Sequence, residues 1–199
     1  TDKKTGVWGL DQVYNKENQG SIWTYSGLTK FLTWGGNNYG GGGFNGSPTT
    51  RYSSPVQLPG TWSAIFGGDG NGRGFIGTKT DGTLYAWGRN HVGQLGDNSR
   101  TNRSSPIQIG SETTWSGAIF SNGYNSHHAV KADGTLWAWG ANTEGKLGQN
   151  NTTQYSSPVQ IGSDTTWSKV AGGGSSAMAT KTDGTLWTWG RNEDGNCAQ

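Results

Sequence analysis

Asp133-Gly134-Thr135-Leu136-Trp137-Ala138-Trp139-Gly140 is the stretch that decides the fold, because it returns twice. It stands again as Asp81-Gly82-Thr83-Leu84-Tyr85-Ala86-Trp87-Gly88 and as Asp183-Gly184-Thr185-Leu186-Trp187-Thr188-Trp189-Gly190. A degraded copy ends in Leu32-Thr33-Trp34-Gly35, so the closing tryptophans stand at 34, 87, 139 and 189, in steps of 53, 52 and 50. Two further markers keep the beat. Ser-Ser-Pro occurs at 53–55, 104–106 and 156–158, and Thr-Trp-Ser at 61–63, 114–116 and 166–168. Three interleaved markers on one period establish an internal repeat, the signature of a solenoid, a propeller or an array.

Each unit reads as short strands joined by turns. Asp-Gly between apolar runs predicts a two-residue type I′ hairpin, with Asp81, Asp133 and Asp183 suited to it by their tolerance of positive φ and followed by Gly82, Gly134 and Gly184. Ser-Ser-Pro-Val-Gln-Ile predicts a strand opened by proline, at an edge where no amide donor is needed. The stretches from Trp115 to Phe120 and from Trp167 to Val170 supply another strand. Four strands in about 52 residues make one propeller blade. The prediction is therefore an all-β chain, a partial β-propeller of four-stranded blades. Its predicted core is Trp34, Trp87, Trp139 and Trp189 with Leu84, Leu136 and Leu186. Tyr85, Trp137 and Trp187, two residues before three of those tryptophans, share their face.

Composition agrees with an ordered chain. Glycine makes up 36 of 199 residues and hydrophobic residues only 30%, a balance that would favour disorder were the chain not 12% aromatic with 11 tryptophans. Large rings each bury about 150–250 Å² and stand in for many aliphatic residues. A net charge of +2, without basic runs, argues against a nucleic-acid surface. No apolar stretch approaches the ~20 residues of a membrane helix, and Thr1-Asp2-Lys3-Lys4 lacks the apolar run of a secretory signal. The expectation is no nucleic acid and no membrane. The single cysteine, Cys197, excludes an internal disulfide framework.

The run Asp-Gly-Thr-Leu-Trp-Ala-Trp-Gly-Ala-Asn-Thr-Glu-Gly-Lys-Leu-Gly at 133–148, followed by Ser-Ser-Pro-Val-Gln-Ile at 156–161 and paralleled at 81–96, resembles the regulator-of-chromosome-condensation repeat family. The resemblance covers roughly residues 25–199 and implies a propeller of seven blades. This chain holds about three full blades plus partial ends. Its outer faces then need cover from the rest of a longer protein, from further copies or from another protein, unless four blades close on themselves. The family's best-known activity is nucleotide exchange on a nuclear GTPase, with chromatin binding. Neither transfers on fold alone, and no basic arm for DNA is visible. Other relatives include secreted β-lactamase inhibitors.

No catalytic constellation stands out, and the expectation is a non-enzymatic protein without cofactor or metal. His127 and His128 are neighbours on a predicted strand and point to opposite faces, so they do not share an ion. Asp81, Asp133 and Asp183 sit at hairpin tips on separate blades and do not converge. The glycine runs at 40–43, 67–72 and 172–174 lack the helix and Lys-Ser/Thr of a phosphate loop and read as close-packed loops near the axis. Cys197 takes the place held by Leu95 and Leu147, a small buried hydrophobe.

Residues 1–24 stand outside the repeat. Gly6-Val7-Trp8-Gly9-Leu10, continuing through Val13 and Tyr14 to Trp23, resembles an N-terminal signature of tailed-phage structural proteins. It implies an attachment segment carried by Val7, Trp8, Leu10, Val13, Tyr14 and Trp23; a strand or helical turn packed on the first blade is the other reading. The expected function is a virion structural protein, a capsid decoration, tail or fibre component. It would act as a protein-binding platform whose partners are other virion proteins or copies of itself, in a homo-oligomer or larger assembly. The alternative is an extracellular or cell-surface binding propeller, such as an enzyme inhibitor or a glycan-binding module.

Overall fold

The repeats fold as four antiparallel sheets in a computed structural model that describes residues 30–47, 50–67, 74–193, 195 and 197. The attachment candidates Val7, Trp8, Leu10, Val13, Tyr14 and Trp23, and the glycine run at 68–72, lie outside the described residues. The first sheet pairs β1 (Leu32–Gly36) with β2 (Arg51–Gln57). The second runs β3 (Trp62–Phe66), β4 (Gly74–Lys79), β5 (Leu84–Gly88) and β6 (Arg103–Gln108). The third runs β7 (Ile119–Gly123), β8 (Ser126–Val130), β9 (Leu136–Gly140) and β10 (Tyr155–Gln160). The fourth holds β11 (Trp167–Gly172), β12 (Ser176–Lys181) and β13 (Leu186–Gly190). The one helical piece among the described residues is a 3₁₀ turn at Asn38–Gly40.

Period-2 alternation gives each sheet two unlike faces. In the third sheet Phe120, Ala129 and Trp137 lie abreast, as do His127 and Trp139, and they face the second sheet. Val130 lies beside Leu136, and His128 beside Ala138, on the face toward the fourth sheet. Ile76, Leu84 and Ala86 of the second sheet therefore form one core with Trp115, Phe120 and Trp139 of the third. Val130 and Leu136 form the next with Trp167, Val170 and Ala179. Leu58 of the first sheet meets Trp62 and Trp87 of the second in the same way. Every seam thus sets a leucine-type face against a tryptophan-type face.

This asymmetry corrects two of the predicted core residues. Trp34 is 65% exposed and Leu186 is 60% exposed, whereas Trp139 and Leu136 are fully buried. Trp34 belongs to the tryptophan-type face of the first sheet and Leu186 to the leucine-type face of the fourth, and each is the outer face of the arc. Trp189 is half-buried against Lys146, Val130 and Leu136 of the third unit.

The hairpins differ from the predicted type. Gly134 N–H donates to Lys131 O at 2.9 Å and Lys131 N–H to Thr135 O at 3.0 Å, and the turns at Gly82 and Gly184 repeat this. That pattern is a three-residue connection, a type I turn closed by glycine in the left-handed region, with Gly134 at φ +79°. The aspartates do not take positive φ. Asp133 Oδ1 instead accepts from Thr135 N–H at 3.0 Å and from Thr135 Oγ1 at 2.6 Å, so the threonine two residues on is what the aspartate serves. Two smaller differences follow from local sequence. Pro106 and Pro158 lie inside β6 and β10 rather than at their starts, on edge strands whose pairing is irregular there. Trp115 to Ala118 forms a turn closed by Ala118 N–H to Trp115 O at 3.1 Å, because two extra residues separate Trp115 from Phe120 compared with Trp167 and Val170.

Candidate functional site

Three devices recur along the repeat and set the surface they leave behind. The first is an asparagine after each Trp-Gly. Asn142 Oδ1 accepts from Leu147 N–H at 2.9 Å, while its Nδ2 donates to Asn151 O and Thr153 O, both at 2.9 Å. Asn37, Asn90 and Asn192 accept in the same way from Gly42, Leu95 and Cys197 at 2.8–2.9 Å. Cys197 is buried at the position of those leucines. At Asn37, Asn90 and Asn142 one amide thus closes the long loop through three backbone groups.

The second is a lysine two residues before each Asp-Gly. Lys131 Nζ stands 4.2 Å from the ring centres of both Trp115 and Trp137. Lys181 lies 4.9 Å from Trp167 and 4.4 Å from Trp187, and Lys79 lies 5.8 Å from Trp62 and 4.0 Å from Tyr85. A cation held between two ring faces is attracted by their quadrupoles. Glu112 pairs with Lys131 and Asp164 with Lys181; the Lys181 side chain and then Thr166 hold the Asp164 carboxyl down to about 2. Sequence reasoning missed these lysines, though Lys-Xaa-Asp-Gly recurs on the same period as the tryptophans.

The third device joins neighbouring sheets. Trp87 Nε1 donates to Gly41 O at 3.1 Å, Trp139 Nε1 to Gln94 O at 3.0 Å and Trp189 Nε1 to Lys146 O at 2.8 Å, each acceptor lying on the preceding unit's loop. Lys146 is itself a hub. Its buried ammonium donates to Tyr124 O and Gly174 O at 2.6 and 2.9 Å, and burial lowers its pKa.

His127 and His128 point to opposite faces. His127 Nδ1 lies 2.7 Å from Asn122 Oδ1 and its ring packs on Trp139. His128 Nε2 donates to Lys146 O at 2.9 Å, and full burial drives its pKa to about 4, so the ring is neutral. Asp81, Asp133 and Asp183 each accept from the threonine two residues on, which holds their carboxyls below the ordinary range. They stay on separate turns; among the described residues no three His, Cys, Asp or Glu gather as a metal site. Of the glycine runs, 40–43 packs against Ser104, Leu58 and Trp87 of the first seam; of 172–174, Gly172 and Gly173 meet Gly123 and His128 at the third, while Gly174 faces open space.

A groove of about 380 Å³ opens across the seam between the second and third sheets. Ile109, Trp115, Trp137 and Pro158 form its floor, and Asn98, Gln108 and Glu112 stand exposed along its rim. Asp97 closes one end in an ion pair with Arg103 at 2.6 Å. Burial opposes ionisation of Asp97, but hydrogen bonds from Ser99, Arg103 and Asn90 prevail and hold its carboxyl below the ordinary range.

The stacked sheets with their alternating seams define a partial β-propeller. Residues 81–115 and 133–180 match the regulator of chromosome condensation (RCC1) repeat, and residues 167–196 match a second description of it. The chain is built on RCC1-type repeats. The X-linked retinitis pigmentosa GTPase regulator of Canis lupus familiaris is 32% identical over 145 residues, 71% of this chain and 14% of that protein. The ultraviolet-B receptor UVR8 of Arabidopsis thaliana is 31% identical over 92 residues, 46% of this chain and 21% of that protein. The chain thus spans between 14% and 21% of the length of these relatives. Among solved structures, human WBSCR16 superposes with a TM-score of 0.68 at 22% identity, over 80% of this chain and 42% of that one. Yeast RCC1 (Prp20) bound to Kap60 gives 0.63 at 18%, over 83% and 42%. These two likenesses concern the fold alone. Among the described residues no helix is long and apolar enough to cross a membrane.

Proposed function

We propose that the chain is a non-enzymatic protein-binding platform that engages its partner through the groove between the second and third sheets. The groove carries this reading. Its floor is aromatic and apolar and its rim polar, the anatomy of protein-recognition surfaces. The recurring Asn, Asp and Lys side chains, in contrast, are engaged by groups of the fold itself. A protein of the same fold, yeast RCC1, is described bound to Kap60, which supports protein binding in general and not this groove. The test is site-specific photo-crosslinking. A crosslinker at Gln108 captures a partner that one at Glu144, exposed on the loop after β9 and outside the groove, does not, and Ser157→Arg weakens the capture. Equal capture from both positions defeats the groove.

For the setting of the platform, the stretch 6–23 supports a place in the particle of a tailed phage, as a decoration, tail or fibre component attached through residues 1–24. Mass spectrometry of purified particles tests this. Absence from the particles leaves the secreted or surface binding propeller, such as an enzyme inhibitor or a glycan-binding module.

A further inference from the structure

The two outer faces of the arc are the two halves of one seam. On the first sheet Leu32 and Trp34 occupy the places that Tyr85 and Trp87 hold in the second and Trp137 and Trp139 in the third, and they are 53% and 65% exposed. On the fourth sheet Thr180 lies beside Leu186 and Met178 beside Thr188. These are the places of Val130 and Leu136, and of His128 and Ala138, which the next sheet covers. Met178 and Leu186 are 46% and 60% exposed. What covers such a face inside the arc is always a tryptophan-type face of the same repeat, and this chain presents one, open, at its other side. The two faces of one chain do not meet each other, because the arc corresponds to only 42% of each solved propeller it superposes on.

We propose that a second copy of the chain docks head to tail, its Leu32–Trp34 face seated on the Met178–Leu186 face of the first. The contact is heterologous, one face against a different one, and continues the stacking of the internal seams. It does not depend on the groove or on its partner.

The experiment is sedimentation equilibrium of the full chain across a concentration series, with Trp34→Arg and Leu186→Arg. Both positions are exposed within a single copy, so both variants keep the wild-type far-ultraviolet circular dichroism. Wild type is expected to reach at least twice the 21.1 kDa chain mass. Each variant alone weakens association by about 100-fold or more, as a buried charge without a partner demands. An equimolar mixture of the two regains a dimer, because Leu186 of one variant still meets Trp34 of the other. A wild-type chain that stays at the monomer mass overturns the proposal; residues outside the described ones, or further blades of a longer chain, then cover these faces. Association that neither substitution weakens, or a mixture that stays monomeric, overturns it as well.

Discussion

Asn142 shows how much one side chain does in this protein. Its buried amide satisfies one donor and two acceptors of the loop it closes, and removing it leaves all three backbone groups without their partner. Asn142→Ala should cost about 2–4 kcal/mol in urea unfolding. Asn142→Asp should cost at least as much, because it keeps the acceptor, loses both donors and buries a charge. A cost below about 1 kcal/mol for either would show that the loop closes without it. His128 sets a pH limit. Its folded pKa of about 4 lies below the ordinary 6.5, so the unfolded chain takes up the proton first as pH falls. Its contribution is therefore complete above pH 6.5 and is lost progressively toward pH 4, a change of the order of 3 kcal/mol. Thermal melts between pH 7 and pH 4 should show this fall, and His128→Gln should flatten it.

At the scale of the hairpin, the same turn meets different neighbours in different units. A Cβ on Gly134 would lie 1.9 Å from Thr165 O of the next unit, whereas one on Gly184 meets nothing within 4 Å. Both glycines take left-handed backbone, at φ +79° and +86°. Gly184→Ala should thus cost only the backbone strain, about 1–2 kcal/mol. Gly134→Ala adds a backbone collision and should cost about 3 kcal/mol or more. Equal melting shifts for the pair would mean that the turns do not abut the next sheet. The Asp-Gly signal located these hairpins from sequence, but it left the turn type undecided. A two-residue and a three-residue connection differ only in which backbone groups bond, and Thr135 tips the choice by donating to Asp133.

Across the whole molecule, stability resides in seams between neighbours, as in other stacked repeats. Trp139 lies inside a seam and Trp34 outside one, although both close the same sequence marker. Trp139→Ala should cost about 3–5 kcal/mol, and Trp34→Ala within about 0.5 kcal/mol for the single copy. Denaturant unfolding at concentrations too low for association checks both. A large loss from Trp34→Ala under those conditions would place a covering segment over the first sheet.

The period, the strand content and the blade could be read from the sequence alone, because hydrogen-bonded strands of alternating pattern and glycine turns are local. The recurring tryptophans could be recognised as packing residues for the same reason. Which of them are buried was decided only in three dimensions: Trp34 and Trp139 open the same Trp-Gly-Xaa-Asn run, and burial depends on whether another sheet stands opposite. The groove was hidden for the same reason. Asn98, Gln108, Trp115, Trp137 and Pro158 come from separate segments, and only the stacking of two sheets brings them to one opening.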